Sequence, residues 1–357
     1  MTKLTTSQPA RHPAPTVKAT RLAYLIWDRP DLDKAAAFLS DFGLIEMLRT
    51  PEKAYFRGTA AGPFCYEVRL AEKAAFVGFA LEVASRDDLL ALSALPGASA
   101  VQPLNKPGGG EYVQLRDPSG FVVEAVYGQW AEVALPHRSA LALNTVDDMP
   151  RINGTQRPPV NVPEVIKLGH VVLELADFQA TCGWYTQHFG FIPSDVQVLP
   201  DGSPAVVFMR LDLGDTPADH HTLALAQGFA AQYSHSAFEL VDQDAVGMGQ
   251  RVLRERGYRH AWGMGRHILG SQIFDYWQDP WRAKHEHYCD GDVFTADVPM
   301  GVHPVSAGAM AQWGQPMPAS FTRPALSVGN IVAMLRNLRR SPDVSLKKLI
   351  TLARLFA

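Results

Sequence analysis

Two passages of the chain repeat one pattern of apolar and polar positions. Residues 21–44 read RLAYLIWDRPDLDKAAAFLSDFGL, and residues 167–191 read KLGHVVLELADFQATCGWYTQHFGF. Each begins with a short apolar run typical of a buried strand and continues through a polar break into a helix-like period, which Gly43 or Gly190 closes. The pattern predicts the same strand–helix unit in both halves of the chain.

The repeat continues beyond these units. GFALEVASRDDLLAL, from Gly78, parallels HSAFELVDQDAVGMG, from His235, as an alternating strand that leads into a helix. DPSGFVVE, which ends at Glu124, parallels DPWRAKHE, which ends at Glu286. Each half is therefore expected to contain two units of a helix flanked by strands, four in all.

Composition along the chain sets the expected domain boundaries. The first residues are polar and Pro-rich without the apolar core of a signal peptide, and five prolines between the halves indicate an extended connector. The late residues have an amphipathic helical pattern broken near Ser341-Pro342. The predicted segments are a flexible tail at 1–20, a domain at 21–135, a linker at 136–166, a domain at 167–300 and a C-terminal extension at 301–357.

Charge and cysteine content exclude several classes of protein. The 47% hydrophobic and 19% charged residues are typical of a globular chain, and a net charge of −3 favours neither nucleic acid nor an anionic membrane as a partner. No run of about 18 apolar residues predicts a membrane span. The 3 cysteines are scattered and form no CxxC pair, which argues against a disulfide framework and a thiolate metal site. These features predict a cytoplasmic location.

The histidines are concentrated in one half. Nine of the 12 lie between residues 165 and 300, and none lies between 21 and 135. His170 lies on a predicted strand, His235 opens a second, and Glu286 ends a third. Two imidazoles and one carboxylate could occupy one face of a metal, the pattern of non-haem Fe(II) enzymes that bind oxygen. The histidine-rich half is therefore the expected place of the chemistry.

An ordinary structural role is the alternative for each of these residues taken singly. The repeat weighs against it, because a scaffold role would place similar residues in both halves. The counterpart of His170 is Tyr24, or Ala23 if the alignment shifts by one residue, and the counterpart of His235 is Gly78; only the carboxylate persists, as Glu124. His220 is expected to alternate to the opposite face of a strand from its neighbour and to serve the structure.

Five short motifs in a fixed order carry a family resemblance. LGHVVL, DHHTLALA, YSHSAFELVD, GRHILGSQIFDYWQDP and HEHYCDGD together resemble the type I extradiol ring-cleaving catechol dioxygenases of the vicinal oxygen chelate superfamily. The resemblance covers about residues 21–300. It implies an α+β fold of four βαβββ modules paired into two domains, with Fe(II) only in the C-terminal one. It also implies a catechol-type aromatic substrate, O2 as co-substrate, and a homo-oligomer.

The resemblance assigns a role to six residues. It implies three iron ligands, His170, His235 and Glu286. His221 falls at the position of the acid/base histidine, His267 at that of a second pocket histidine, and Tyr276 at that of the tyrosine that hydrogen-bonds a catechol oxygen. The implied reaction opens the aromatic ring beside the hydroxylated carbons and yields a yellow semialdehyde.

Two other functions of the same superfamily are the alternatives. A glyoxalase-like isomerase or lyase would have more carboxylate among its metal ligands and would not need His221 together with Tyr276. A non-catalytic module that binds small molecules would lack the metal ligands. Trp184, Trp277 and Trp281 are candidates for aromatic lining of a substrate pocket, with core packing as the alternative for each.

Overall fold

The computed structural model describes residues 8, 10–306, 308, 310–322 and 328–355. The first half forms an eight-stranded sheet with two helices. In chain order its elements are β1 (Ala19–Arg29), α1 (Leu32–Phe42), β2 (Ile45–Arg49), β3 (Lys53–Arg57), β4 (Tyr66–Leu70), β5 (Ala75–Val83), α2 (Arg86–Ser93), β6 (Gln102–Pro103), β7 (Glu111–Arg116) and β8 (Val122–Tyr127). The strand order across this sheet is β2-β3-β4-β1-β5-β8-β7-β6.

The second half forms a ten-stranded sheet. Its elements up to residue 294 are β9 (Lys167–Leu175), α3 (Phe178–Phe189), β10 (Ile192–Val198), β11 (Pro204–Arg210), β12 (Ala218–Asp219), β13 (Leu223–Gln227), β14 (Gln232–Glu239), α4 (Gln243–Glu255), β15 (Arg259–Arg266), β16 (Ile273–Gln278), β17 (Lys284–Cys289) and β18 (Val293–Phe294). They are followed by β19 (Gly301–Pro304), β20 (Trp313–Gly314), α5 (Ala319–Thr322), α6 (Val328–Arg340) and α7 (Leu346–Leu355). The strand order is β19-β10-β11-β13-β9-β14-β17-β16-β15-β20, while β12 pairs separately with β18.

The central strands of the two sheets are paired in the same way. β1 is antiparallel to β5, which is parallel to β8, and β9 is antiparallel to β14, which is parallel to β17. Each half contains two βαβββ units, four in all, and the first unit of the second half carries β12 as an additional short strand. The predicted fold class, an α+β chain of four such modules, is confirmed.

Glycine ends the first helix of each half, as the pattern predicted. α1 begins after Asp31, whose side chain accepts a hydrogen bond from the backbone N–H of Lys34, and it ends at Gly43 with φ +108°. A Cβ at Gly43 would lie 2.1 Å from the carbonyl oxygen of Pro163, so both the backbone angle and the close contact require glycine. α3 ends at Gly190 with φ +68°.

The two halves share one hydrophobic core and buried polar contacts. The guanidinium of Arg29 donates to Asp279 at 2.6 Å, and both side chains are only 3% exposed. His285 contacts the Tyr66 hydroxyl at 2.9 Å, and His287 bonds the carbonyl oxygen of Phe42 at 2.7 Å. Both histidines flank Glu286 on β17, so strand alternation turns them towards the first half and turns Glu286 to the opposite face.

The segments before and between the sheets contact the second half. Within the predicted tail, the backbone N–H of Thr16 bonds Gln187, Val17 is buried, and β1 already begins at Ala19. The described part of the tail is therefore packed rather than free, while residues 1–7 and 9 lie outside the described residues. The predicted linker, 136–166, contains no helix or strand.

The C-terminal segment, which was predicted as an extension with amphipathic helices, also adds two strands to the sheet. β19 pairs in parallel with β10, and β20 pairs with β15. The two helices that follow are separated at Ser341-Pro342, where the break was expected. The amide of Asn337 in α6 donates to the Phe229 carbonyl, and the Ser341 hydroxyl donates to the Ala176 carbonyl. In the part of the chain that is described, no helix has the length and apolar character to cross a bilayer.

Candidate metal centre and active site

Three adjacent strands bring His170, His235 and Glu286 together. In the strand register, His170 on β9 and Glu286 on β17 both pair with Ala237 of β14. His235 lies two residues before Ala237 on the same face of β14. The Nε2 atoms of His170 and His235 are 3.3 and 3.4 Å from Oε2 of Glu286. One donor atom from each of the three lies within 4.8 Å of the others.

The environment of Glu286 favours a bound cation. Its carboxylate is fully buried, and neither oxygen has a hydrogen-bond partner. A buried carboxylate without compensation costs several kcal/mol, so a bound metal ion would remove a large penalty. The donor set of two imidazoles and one carboxylate on one side, with the cavity on the other, suits Fe(II) with positions open for further ligands. The residues present therefore fit the predicted metal.

Among the described residues of the N-terminal half no such group of ligands is found, and a lysine lies at the equivalent position. Tyr24 pairs with Ala80 just as His170 pairs with Ala237. Tyr24, and not Ala23, is therefore the counterpart of His170. The ammonium of Lys106 lies 2.6 Å from Glu124 and 2.8 Å from Glu67, and the Tyr24 hydroxyl donates to Glu124 at 2.5 Å. A lysine side chain thus supplies the positive charge that the equivalent carboxylate needs.

His221 lies beside the three candidate ligands and is held by a chain of polar side chains. Its ring packs against that of His170, with centroids 4.0 Å apart and the two planes tilted by 40°. Its Nδ1 contacts Nδ1 of His220 at 3.0 Å, and Nε2 of His220 bonds Asp195 at 2.8 Å. Asp195 also binds His303 at 2.8 Å. Although burial raises it, the hydrogen bonds from the two histidines keep the pKa of Asp195 below its usual value.

The expectation that His220 faces away from His221 was wrong. It assumed strand alternation, but the chain bends at residues 220–222 between β12 and β13, so successive side chains are not on opposite faces. His220 instead links His221 to Asp195. With His220 neutral and donating through Nε2, its Nδ1 accepts from the Nδ1–H of His221. The Nε2 of His221 is then unprotonated, and burial followed by the neighbouring imidazoles lowers the pKa of this ring well below its ordinary value.

Tyr276 and His267 form a second polar pair at the centre. The Tyr276 hydroxyl lies 2.9 Å from Nε2 of His267, and that nitrogen lies 3.6 Å from Oε1 of Glu286. The other ring nitrogen, Nδ1, bonds the carbonyl oxygen of Met310 at 2.7 Å. Burial raises the pKa of Tyr276 well above its ordinary value, so the phenol keeps its proton and can donate a hydrogen bond.

A cavity of about 430 Å³ opens above these groups. This volume is within the range of about 300–1,000 Å³ that small-molecule sites occupy. Five of the six predicted site residues line it: His170, His221, His235, His267 and Tyr276. Most of the remaining wall is apolar, which would exclude water from a bound aromatic ring.

Sequence reasoning missed part of this wall and misjudged the tryptophans. Met310, Met317 and Phe321, from the C-terminal segment, line the cavity although no motif marks them. Asp195 was likewise missed, since a single aspartate on a strand gives no signal. None of the three candidate tryptophans lines the cavity: Trp277 is fully buried and bonds Asp275, Trp281 lies near Arg29, and Trp184 packs against Tyr185.

Comparisons with known proteins agree with this geometry. Residues 167–286 match the family model of the Glyoxalase/Bleomycin resistance protein/Dioxygenase superfamily. Metapyrocatechase 2 of Cupriavidus necator is 29% identical over 304 residues, which span 82% of this chain and 88% of the relative.

Two solved structures share the fold. Homoprotocatechuate 2,3-dioxygenase of Arthrobacter globiformis superposes with a TM-score of 0.72 at 21% identity, over 90% of this chain and 97% of its own. The Mn(II)-bound glyoxalase of Novosphingobium aromaticivorans superposes with a TM-score of 0.72 at 23% identity, over 88% of this chain and 97% of its own. Residues 167–286 therefore form a domain of the Glyoxalase/Bleomycin resistance protein/Dioxygenase superfamily, in a chain that has the overall fold of these two enzymes.

Proposed function

We propose that this protein is an extradiol dioxygenase, which opens the aromatic ring of a catechol-type substrate with O2 at an Fe(II) site. One observation carries the proposal. The ligand set of His170, His235 and Glu286 is open towards an apolar cavity into which His221 and Tyr276 also project. The similarity to a metapyrocatechase over most of both chains supports the same reaction class.

The metal would be held by the two imidazole Nε2 atoms and the Glu286 carboxylate. When bound, Fe(II) supplies Lewis acidity and one-electron chemistry, which allow O2 to react with an electron-rich ring. The burial of Glu286 without a hydrogen-bond partner keeps its oxygens available for the ion. The neighbouring histidines on β17 point away, so they do not compete for it.

His221 is the proposed acid/base. Its unprotonated Nε2 can accept a proton from a catechol hydroxyl, and the same ring can return that proton later in the reaction. The hydrogen bond from its Nδ1–H to His220 fixes the ring orientation, and Asp195 fixes His220 in turn. This arrangement resembles other sites where a carboxylate orients an imidazole base.

Tyr276 and His267 are proposed to position the substrate. The Tyr276 hydroxyl lies beside Glu286 and can redirect its hydrogen bond from His267 to a catechol oxygen. His267 is anchored through Nδ1 to the Met310 carbonyl, so its ring stays in place when the tyrosine turns. The apolar walls exclude bulk water and hold the aromatic ring flat between them.

A glyoxalase-like isomerase or lyase is the second candidate, since a solved glyoxalase shares the fold. The ligand set weighs against it. Among the described residues, the group that could hold a metal contains a single carboxylate, Glu286, with two histidines. The polar groups added to this set are His221, His267 and Tyr276, which suit proton transfer and hydrogen bonding to a catechol.

The deciding experiment is oxygen uptake by protein loaded anaerobically with Fe(II), across a panel of substituted catechols. We expect consumption of one O2 per ring and a yellow semialdehyde that absorbs near the visible. A colourless diacid, the product of cleavage between the hydroxylated carbons, would contradict the extradiol assignment. Glutathione-adduct isomerisation without oxygen uptake would instead support the glyoxalase-like function.

We further propose a cytoplasmic homo-oligomer. All three cysteines are free and buried, as a reducing compartment favours. On α6, the side chains of Ile331, Val332 and Leu335 are 44%, 59% and 53% exposed, an apolar surface that a second copy could cover. Light scattering coupled to size-exclusion chromatography measures the mass in solution, and a mass of one chain would contradict the oligomer.

A further inference from the structure

The cavity extends along β9 well beyond the metal ligands. His170, Val172 and Glu174 alternate on one face of this strand, and all three line the cavity. Since a strand rises about 3.3 Å per residue, the backbone of Glu174 lies roughly 13 Å from that of His170. A catechol ring at the metal fills only the near end, so the far end is shaped for a ring substituent.

The middle of the cavity is apolar. In the register, Val172 pairs with Ala224 of β13, and Ala224 pairs with Phe208 of β11. These three side chains form one row across the sheet, and all three line the cavity. This row therefore offers an apolar surface to a substituent that extends from the metal towards the far end.

The next row ends in polar side chains. Glu174 pairs with Ala226, Ala226 with Val206, and Val206 with Gln197 of β10. All four residues line the far end of the cavity. Gln197 is 2% exposed, and its Oε1 has no hydrogen-bond partner. A buried amide oxygen without a donor is costly, so this position favours a ligand that supplies one.

Gln227 adds a second unpaired acceptor at the same end. Its Nε2 donates to the carbonyl oxygens of Leu175 and Gly228, at 3.4 and 3.2 Å, which fixes the orientation of the amide. The Oε1 of this buried side chain has no partner. Glu174, whose Oε2 accepts from Gln232 at 2.9 Å, brings a carboxylate to the same place. The far end is therefore rich in acceptors.

Positive charge is not available to balance a second anion there. Among the described residues, no lysine or arginine lines the cavity. Lys284, which interacts electrostatically with Glu174, donates its hydrogen bond to the Phe321 carbonyl at 2.8 Å. A substrate carboxylate placed beside Glu174 would meet like charge and acceptor atoms in a site shielded from water.

We propose that Glu174, Gln197 and Gln227 form a distal acceptor subsite that selects the ring substituent. The inferred substrate is a catechol whose apolar substituent ends in a hydrogen-bond donor, such as a hydroxyl, and carries no carboxylate. This inference rests on the proposed function, which places the catechol oxygens at the metal.

The test compares three matched ligands: 2,3-dihydroxybiphenyl, its 4′-hydroxy derivative and its 4′-carboxy derivative. Binding to Fe(II)-loaded protein is measured by calorimetry without oxygen, and kcat/KM by oxygen uptake. A hydrogen bond to a charged partner contributes about 1.5–3 kcal/mol, so the 4′-hydroxy compound should bind about 10- to 100-fold more tightly than the parent. The 4′-carboxy compound should bind more weakly than the parent. Equal affinity of the hydroxy and carboxy compounds would overturn the proposal.

Two variants locate the effect. Glu174→Gln keeps the shape of the side chain and removes its charge, so it should narrow the affinity ratio between the hydroxy and carboxy compounds at least tenfold. Gln197→Leu should lower the preference for the hydroxy compound over the parent. The matched control Glu239→Gln removes a carboxylate of β14 that does not line the cavity, and it should leave both ratios unchanged. If neither Glu174→Gln nor Gln197→Leu changes these affinity ratios, the proposal is overturned.

Unsubstituted catechol separates this inference from the proposed function. If catechol is cleaved but the three biphenyl ligands bind equally well, the subsite is wrong and the dioxygenase assignment stands. If no catechol supports oxygen uptake, the dioxygenase assignment itself is wrong, and the subsite with it.

Discussion

The chain of Asp195, His220 and His221 can be interrupted without touching the metal ligands, which makes His220→Asn an informative change. The shorter side chain cannot reach both neighbours, whose bonds to His220 are 2.8 and 3.0 Å long. Asp195 keeps its second partner, His303, so the carboxylate is not left unpaired. The substitution therefore removes the orientation of His221 and little else.

The size of the effect follows from the lost hydrogen bond. Because the bond is coupled to the Asp195 carboxylate, it contributes about 1.5–3 kcal/mol, which corresponds to roughly a 10- to 100-fold fall in kcat. Removing the acid/base itself, in His221→Asn, should lower kcat further, by about 10²–10⁴-fold. The two variants should keep their iron and should bind catechol with affinities close to that of the unchanged protein.

The assay combines metal analysis, anaerobic catechol titration and steady-state oxygen uptake for both variants. His188→Asn, which removes a histidine outside the cavity, is the matched control and should leave kcat unchanged. Unchanged turnover in His220→Asn would refute the positioning role and restore the purely structural one. Loss of iron in either variant would show that the chain supports the metal rather than the proton transfer.

Three further predictions concern the metal, pH and the contact between the halves. Alanine at any of the three proposed ligands should abolish tight Fe(II) binding, whereas Glu124→Gln should keep iron content; equal loss would contradict a single site. Burial raises the pKa of Asp117 to about 6, so its stabilising contribution is complete below about pH 4 and is lost as pH rises through 6. Asp117→Asn should therefore reduce the fall of the free energy of unfolding over this pH range, measured by urea unfolding. An unchanged fall would exclude Asp117 as its source. Arg29→Met leaves Asp279 buried without its cation and should lower the free energy of unfolding by about 3–5 kcal/mol; a loss under 1 kcal/mol would contradict this.

Much of the candidate metal centre could be predicted from the sequence, because local periodicity determines which face of a strand a side chain occupies. His170, Glu286 and their partner positions follow from alternation within three strands, and the repeat shows which strands correspond. The same alternation turns His285 and His287 to the face of the strand opposite Glu286. The glycines that end α1 and α3 could also be predicted from the sequence, since the backbone there requires positive φ.

Contacts between segments distant in the chain were decided only by the tertiary structure. A bend at residues 220–222 cancels the alternation that would have separated His220 from His221, and it creates the link to Asp195. Met310 and Phe321 reach the cavity because the C-terminal segment returns through β19 and β20 to the edges of the sheet. Lys106 pairs with Glu67 and Glu124 in the first half, and no sequence period predicts these contacts. Local patterns specify the faces of strands and helices, whereas the meeting of remote side chains depends on how those elements pack.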